Sequence, residues 1–327
     1  MRRITLGLLA VALVLWCGGQ SAQPAASGGG GAEGAKYTIA VIPKGTTHDF
    51  WLTVKAGAED AAKEFNAKTY WKGPDKETEV VKQLNIIEDF ITMEVDAIVM
   101  AACDENAMID VVKRAKDAGI PVVTIDSGVK SGDPVTFVAT DNVAGAKAAG
   151  NELARLIGGK GEVGLIPFVK GAATSEMREQ GFKEALAEFP EIKLVSTLYS
   201  ESDAAKGMNV TQDMITANPN LAGIFAANEG GAIGAAQAIR ADGKVGAIKL
   251  VAFDASDEEI AALKEGVIQA LVVQNPYKMG YEGVKAAVDH LEGRPVEKRI
   301  DTGVTVVTME NFGQPDVHKV LYPLGQK

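Results

Sequence analysis

The chain has 327 residues and a formal net charge of −10, with 43 Asp and Glu set against 33 Lys and Arg. An acidic balance of this size excludes an extended nucleic-acid surface, which needs clustered basic residues. The length beyond the first few dozen residues suffices for two lobes of ordinary domain size.

At the N-terminus, Arg2 and Arg3 precede an apolar run from Ile4 to Trp16 that ends at Cys17. A short positive segment followed by roughly 7–15 apolar residues reads as a secretory signal peptide, and the run is short of the about 20 residues of a membrane span. Val14-Leu15-Trp16-Cys17 resembles the lipobox of bacterial lipoproteins, which makes Cys17 the expected lipidation site and residues 1–17 the signal segment. Trp16 departs from the small residue found there in lipoproteins; a plain signal peptide and an uncleaved anchor are the alternatives. Residues 18–35 are Gly, Ala, Ser and Gln-rich, with four glycines in a row at Gly28–Gly31. Such a stretch cannot bury enough apolar surface to offset its ordering entropy and reads as a flexible tether. The glycines do not form a phosphate loop, since no strand precedes them and no Lys-Ser/Thr follows.

From Lys36 onward short apolar runs alternate with amphipathic stretches. Tyr37–Ile42 reads as a buried strand. Asp49 to Phe65 reads as a helix, with Trp51, Val54, Ala58, Ala61, Ala62 and Phe65 on one stripe. The rhythm continues with helix Val80–Phe90, strand Ala97–Ala101, helix Asn106–Ala118 and strand Val122–Ile125. Cys103 lies just after the run Ala97–Ala102 and reads as a buried, inert thiol. A second series follows: helix Val143–Ile157, strand Val163–Ile166, helix Ser175–Phe189, strand Leu194–Leu198, helix Ala204–Thr216 and strand Leu221–Ala226. It continues through helix Ile233–Ala241, strand Leu250–Phe253, a capping box at Ser256 and Glu259, strand Ile268–Val273 and helix Met279–Leu291. Strands that are apolar throughout suit a parallel sheet covered on both faces. Two successive βα series predict an α/β fold of two doubly wound, Rossmann-like lobes.

Ligands of open parallel sheets bind beyond the carboxyl ends of the strands. The side chains expected there are Lys44 and His48, Asp126 and Ser127, Asn228, Asp254 and Gln274. Arg178 stands near the start of the helix after Thr174-Ser175, and Phe50 and Trp51 follow His48. Carboxylates accept, a guanidinium donates a planar fork and an amide does both, so the set matches the paired donors and acceptors of vicinal hydroxyls. The aromatic pair offers flat faces for the C–H side of a sugar ring, but adjacent residues cannot share one helix face, so one of the two is expected in the core. Each residue alone also has an ordinary reading: Asp126 and Asn228 as turn or helix caps, Asp254 as a turn residue, His48 as a loop histidine, Arg178 as half of a surface ion pair. Their common location at the strand ends favours the site.

At these residues the sequence resembles the periplasmic binding proteins of sugar ABC transporters, in the ribose-binding branch that shares its core with LacI-type effector domains. The motifs are Ile39–Ile42 with His48-Asp49-Phe50-Trp51, Gly119–Asp126, Thr140-Asp141-Asn142, Arg178–Phe182, Phe225–Glu229, Val251–Asp254 and Val273–Pro276. The resemblance covers Lys36 to about Val307. It implies a type I periplasmic binding protein fold with three hinge crossovers near Thr140-Asp141, Gln274-Asn275 and Thr302–Val304. Residues 36–140 with 275–303 then form the N-terminal lobe, and residues 141–274 with 304–327 the C-terminal lobe. It also implies ligand contacts at Phe50, Trp51, Asp126, Arg178, Asn228, Asp254 and Gln274, and a polar contact at His48. Two departures stand out. Ser127 replaces an arginine of the ribose binder, and Ser202 stands where that protein stacks an aromatic residue, so ribose itself is not expected. Lys44 adds a charge.

The resemblance implies a monomer that takes a small sugar or polyol, needs no cofactor or metal, and meets ABC permease subunits in the periplasm or at the cell surface. Its only membrane contact is then the N-terminal lipid anchor, and nucleic acid is no partner. A sensory role, presenting a sugar-like signal to a chemoreceptor or sensor kinase, is the alternative. An enzyme is disfavoured: there are three histidines, and no Gly-x-Ser-x-Gly elbow, His-Glu-x-x-His or dinucleotide fingerprint.

Overall fold

The computed structural model describes residues 34–325; the signal segment, Cys17 and the tether up to residue 33 lie outside the described residues. Among the described residues, no helix is long and apolar enough to cross a membrane. The first series is β1 (Tyr37–Ile42), α1 (Asp49–Glu64), β2 (Ala67–Trp71), α2 (Val80–Thr92), β3 (Ala97–Met100), α3 (Ile109–Asp117), β4 (Val122–Ile125) and β5 (Phe137–Ala139). The second is α4 (Asn142–Leu156), β6 (Gly161–Ile166), α5 (Ala173–Leu186), β7 (Ile192–Thr197), α6 (Ala204–Ala217), β8 (Leu221–Ala226), α7 (Glu229–Ala241), β9 (Lys249–Phe253), α8 (Asp257–Lys264) and β10 (Ala270–Val273). The chain ends with α9 (Pro276–Leu291), β11 (Arg299–Asp301), β12 (Thr305–Val307) and α10 (Pro315–Leu321).

These strands form two six-stranded sheets, ordered β11-β5-β4-β3-β1-β2 and β12-β10-β9-β8-β6-β7. Every pairing is parallel except β10 with β12. The orders are equivalent position by position, so each sheet is the core of one lobe. Strands β1, β3, β4, β8, β9 and β10 are buried at nearly every residue, as expected of strands covered by helices on both faces. The apolar side chains divide into one cluster on each face of each sheet.

Between the sheets the chain passes three times, at Thr140-Asp141, at Gln274-Asn275 and between β11 and β12. The crossings are tied together: Thr140 Oγ1 and Thr302 Oγ1 are 3.2 Å apart, and Arg299 donates to the Thr140 carbonyl at 3.0 Å. Helix α9 follows the second crossing and returns to pack on α1. Glycines make that contact close. A Cβ on Gly57 would stand 2.0 Å from the Tyr277 carbonyl oxygen, and one on Gly280 would stand 1.9 Å from that of Val54.

Several local readings shift. Strand β2 lacks an apolar run, because it is an edge strand whose residues are all half-buried. Strands β5, β11 and β12 have three residues each, too few for a periodic signal. Helix α3 starts at Ile109 and not at Asn106, because Asp104 Oδ1 first binds the amides of Asn106 and Ala107 in a turn. Helix α7 starts at Glu229 instead of Ile233; Gly230 and Gly231 weaken the helical signal, but the Asn228 cap carries the turn. The Ser256–Glu259 capping box forms as expected. Cys103 is buried, with its Sγ 3.6 Å from the Lys44 carbonyl oxygen, and burial pushes its thiol pKa well up; such a thiol is unreactive.

Candidate functional site

The carboxyl ends of the two sheets face one another across a narrow cavity with about 20 Å³ of free space, room for roughly one water molecule. Lys44, His48, Phe50, Trp51, Glu77 and Asp126 line it from the first lobe. Phe168, Arg178, Asn228, Glu229, Asp254 and Gln274 line it from the second. The site therefore exists only where the two lobes meet.

Asp126 and Asp254 occupy equivalent places. One follows β4 and the other β9, the third strands of their sheets, and both have left-handed backbones with φ of +53° and +89°. A non-glycine residue in that region is uncommon and costs energy, and such residues gather at functional sites. Each amide still bonds the neighbouring strand, Asp126 to Val138 and Asp254 to Val272. The turn thus aims the side chain without breaking the sheet.

Asp126 Oδ2 lies 2.9 Å from Lys44 Nζ, and the same ammonium is 4.0 Å from Glu77 Oε2 and donates to Thr174 Oγ1 at 3.1 Å. Glu77 accepts from Trp51 Nε1 at 2.9 Å and from Ser202 Oγ at 3.0 Å. His48 has Nδ1 3.8 Å from Glu77 and Nε2 3.0 Å from the Ser202 carbonyl oxygen. On the second lobe, Asp254 accepts from Gln274 Nε2 at 2.6 Å and from the Glu229 amide at 3.0 Å. Arg178 donates to Asn142 Oδ1 and the Ala227 carbonyl, lies 4.0 Å from Asp254, and stacks 3.8 Å from the Phe253 ring centre. Asn228 caps α7 through the Gly231 amide and donates to Ser202 Oγ at 2.6 Å. It fills the cap role and lines the cavity at once.

A Periplasmic binding protein domain model matches residues 39–295. The chain belongs to the periplasmic binding protein family. Among its relatives, the D-ribose/D-allose-binding protein of Pseudomonas aeruginosa is 33% identical over 288 residues, covering 84% of this chain and 89% of that protein. The Ribose import binding protein of Bacillus subtilis is 30% identical, covering 89% and 92%. Two solved structures share the fold over 88% of this chain and 99% of theirs. One is an ABC transporter solute binding protein from Agrobacterium vitis bound with alpha-D-tagatopyranose (36% identity, TM-score 0.85). The other is a carbohydrate transporter solute binding protein from Agrobacterium radiobacter in complex with D-arabinose (35% identity, TM-score 0.86).

In this binding protein the cavity charges are strongly coupled. Burial lowers the Lys44 pKa, but Asp126 and Glu77 outweigh it and the net shift is upward. Burial likewise opposes the charge on His48, yet the hydrogen bond and charge of Glu77 raise its pKa to about 9. Glu77 is held well below the carboxylate range, because Lys44 and His48 overcome its burial. For Asp126 burial wins over Lys44 and Arg178, and its pKa rises. Burial also raises Glu229, to about 7, against the pull of His48.

Of the residues expected from the strand ends, Lys44, His48, Phe50, Trp51, Asp126, Arg178, Asn228, Asp254 and Gln274 line the cavity. Ser127 does not: the left-handed turn at Asp126 carries it beneath the wall, where its carbonyl accepts from Ala102 and its Oγ has no protein partner. Arg178 stands in the second turn of α5, because that helix begins at Ala173. Trp51 is core as well as wall, 1% exposed, and meets Phe50 edge to face at 4.9 Å.

Sequence reasoning missed Glu77, Phe168 and Glu229. Phe168 follows β6, and the strand-end rule applied there finds it. Glu229 sits beside Asn228 and looks like an ordinary first-turn acid. Glu77 lies in the loop after the unrecognised β2, so no strand end pointed to it.

Proposed function

We propose that this binding protein captures a neutral, hydroxyl-rich sugar or polyol between its lobes by hinge closure and presents it to an ABC permease. One observation carries the reading: six residues from each lobe converge on one small cavity, with buried carboxylates, amides, cations and aromatic rings in alternation. Lys44, His48 and Arg178 nearly balance the cavity carboxylates, and they already pair within the protein. An ionic guest therefore has little uncompensated charge to meet. Vicinal hydroxyls suit the remaining donors and acceptors, because each hydroxyl both gives and takes a hydrogen bond. Phe50 and Trp51 from one lobe and Phe168 from the other offer apolar faces to a sugar's C–H groups. The relatives named for ribose and allose, and the neighbours bound to tagatose and arabinose, support the same class.

Bridging both lobes makes binding favour the closed arrangement, a hinge motion with the guest at the interface. Direct polar contacts from one lobe to the other accompany that arrangement, among them Ser202 to Glu77, Lys44 to Thr174 and the Glu105 amide to the Gly171 carbonyl. The test is a thermal-shift screen with D-ribose, D-allose, D-arabinose, D-tagatose and cyclitols. A cleft-binding sugar at 100 times its Kd stabilises by about 2.7 kcal/mol. A panel in which no sugar or polyol raises Tm refutes the reading.

A further inference from the structure

Glu229 makes a contact that the capture reading does not use. It is the first residue of α7, and its side chain crosses to the opposite lobe. There Oε1 accepts from the Asp49 amide and Oε2 from the Phe50 amide, each at 3.1 Å. These are two of the amides that begin α1, which have no partner within their own helix. His48, the residue before α1, lacks a side chain that caps them. A carboxylate at that end also meets the positive pole of the helix dipole. Meanwhile the Glu229 amide holds Asp254 Oδ2 at 3.0 Å. One residue thus grips the opposite lobe with its side chain and a cavity carboxylate with its backbone.

We propose that Glu229 is an interlobe latch: by capping α1 from the other lobe it holds part of the sugar-free population closed and couples the position of Asp254 to closure. The inference rests on the two-lobe capture reading. Its role is positioning, acting on the guest through Asp254 and through closure. The charged groups facing it are His48 before α1, Asp254 after β9 and Glu259 on α8. His48 supports the ionised carboxylate and the acids oppose it, so the two amides supply the directional part of the grip.

The donor side can be removed without losing the helix. Asp49 is the first residue of α1, a position where proline is well accommodated. His48 before it is extended, with φ −86° and ψ 147°, as a residue preceding proline must be. Asp49→Pro therefore deletes one N–H of the latch, and Asp49→Ala controls for the side chain.

The experiment measures interlobe distance by pulsed electron paramagnetic resonance. Nitroxides at Lys72→Cys and Lys193→Cys sit beside β2 and on β7, the sheet edges farthest from the crossings. The full chain carries Cys17→Ser, and Cys103 is buried. Without sugar, Glu229→Ala is expected to lower the closed-to-open ratio about 10-fold, the size of a charge-assisted contact at a helix end. Asp49→Pro lowers it in the same direction, Asp49→Ala leaves it unchanged, and Asp49→Pro adds nothing in the Glu229→Ala background. An absent closed population without sugar, an unchanged ratio in Glu229→Ala, or additive effects in the double variant would overturn the latch. Should Glu229→Ala fail to fold, Asp49→Pro against Asp49→Ala decides the matter. Because these distances are read without sugar, they stand apart from the sugar screen, whose failure refutes the capture reading alone.

Discussion

Replacing Lys44 by methionine keeps a long apolar stem and removes one ammonium from a place where two buried carboxylates depend on it. Lys44 is 3% exposed, Asp126 is 2.9 Å from its Nζ and Glu77 is 4.0 Å away. Asp126 Oδ2 has no aligned hydrogen bond, so the pair is held by charge and the loss is not made up by another donor. Removing one partner of a buried ion pair costs about 3–5 kcal/mol, because the other charge stays buried. At about 2–4 °C per kcal/mol for a protein of this size class, the expected fall in Tm is roughly 6–20 °C. The sign of the pH dependence follows from the two carboxylates. The Asp126 pKa is already raised by burial, and losing Lys44 raises it further. A folded pKa above the unfolded one means that stability declines as pH rises between the two. Glu77 is depressed chiefly by Lys44 against its burial; its contribution, present above the unfolded pKa and lost as pH falls, shrinks in the variant. Both effects make Lys44→Met most damaging at neutral and alkaline pH and less so in acid. Melts followed by circular dichroism at pH 8 and pH 5 read this directly. A loss under about 1 kcal/mol at pH 8, or one as large at pH 5, would refute the reasoning.

Asp254→Asn places an amide between two donors, Gln274 Nε2 and the Glu229 amide, so one N–H faces another. Sugar affinity by calorimetry is expected to drop about 10- to 150-fold, the range for a charged hydrogen bond; undiminished affinity would remove Asp254 from the site. His48 has a folded pKa of about 9 against 6.5 unfolded, so its contribution is fully present below pH 6.5 and lost as pH rises through 9. Its size is about 3 kcal/mol. Urea titrations of His48→Gln are therefore expected to show a gap from the parent at pH 6 that closes by pH 10, and an equal gap at both values contradicts the assignment. Ser256→Ala removes the capping box of α8 beside the cavity; unfolding is expected to become easier by about 1 kcal/mol, visible as a lower urea midpoint, and an unmoved midpoint argues against the box.

Four of the cavity-lining residues that the sequence pointed to share one property: they end a run of buried apolar residues. Asp126, Asn228, Asp254 and Gln274 each break such a run, and a parallel sheet puts those breaks on one edge. Glu77 escaped because its preceding strand β2 lies at the sheet edge, half-buried, without a continuous apolar signature. Phe168 escaped because Pro167-Phe168-Val169 reads as apolar continuation of β6 and not as a polar break. Ser127 was expected in the wall because it adjoins Asp126; the left-handed φ that turns it away is a property of the backbone and leaves no mark in residue type.

The alternation of apolar strands and amphipathic helices, set by the periods 2 and 3.6 of the backbone, determined two α/β lobes and the edges on which the polar groups of the cavity gather. The pairing of those groups was decided only in three dimensions. Ser202 with Glu77, Lys44 with Thr174 and Glu229 with the head of α1 lie 125, 130 and about 180 residues apart. Hydrogen bonds across such separations depend on how two sheets are set face to face by three crossings, and local residue patterns encode the sheets but not the angle between them.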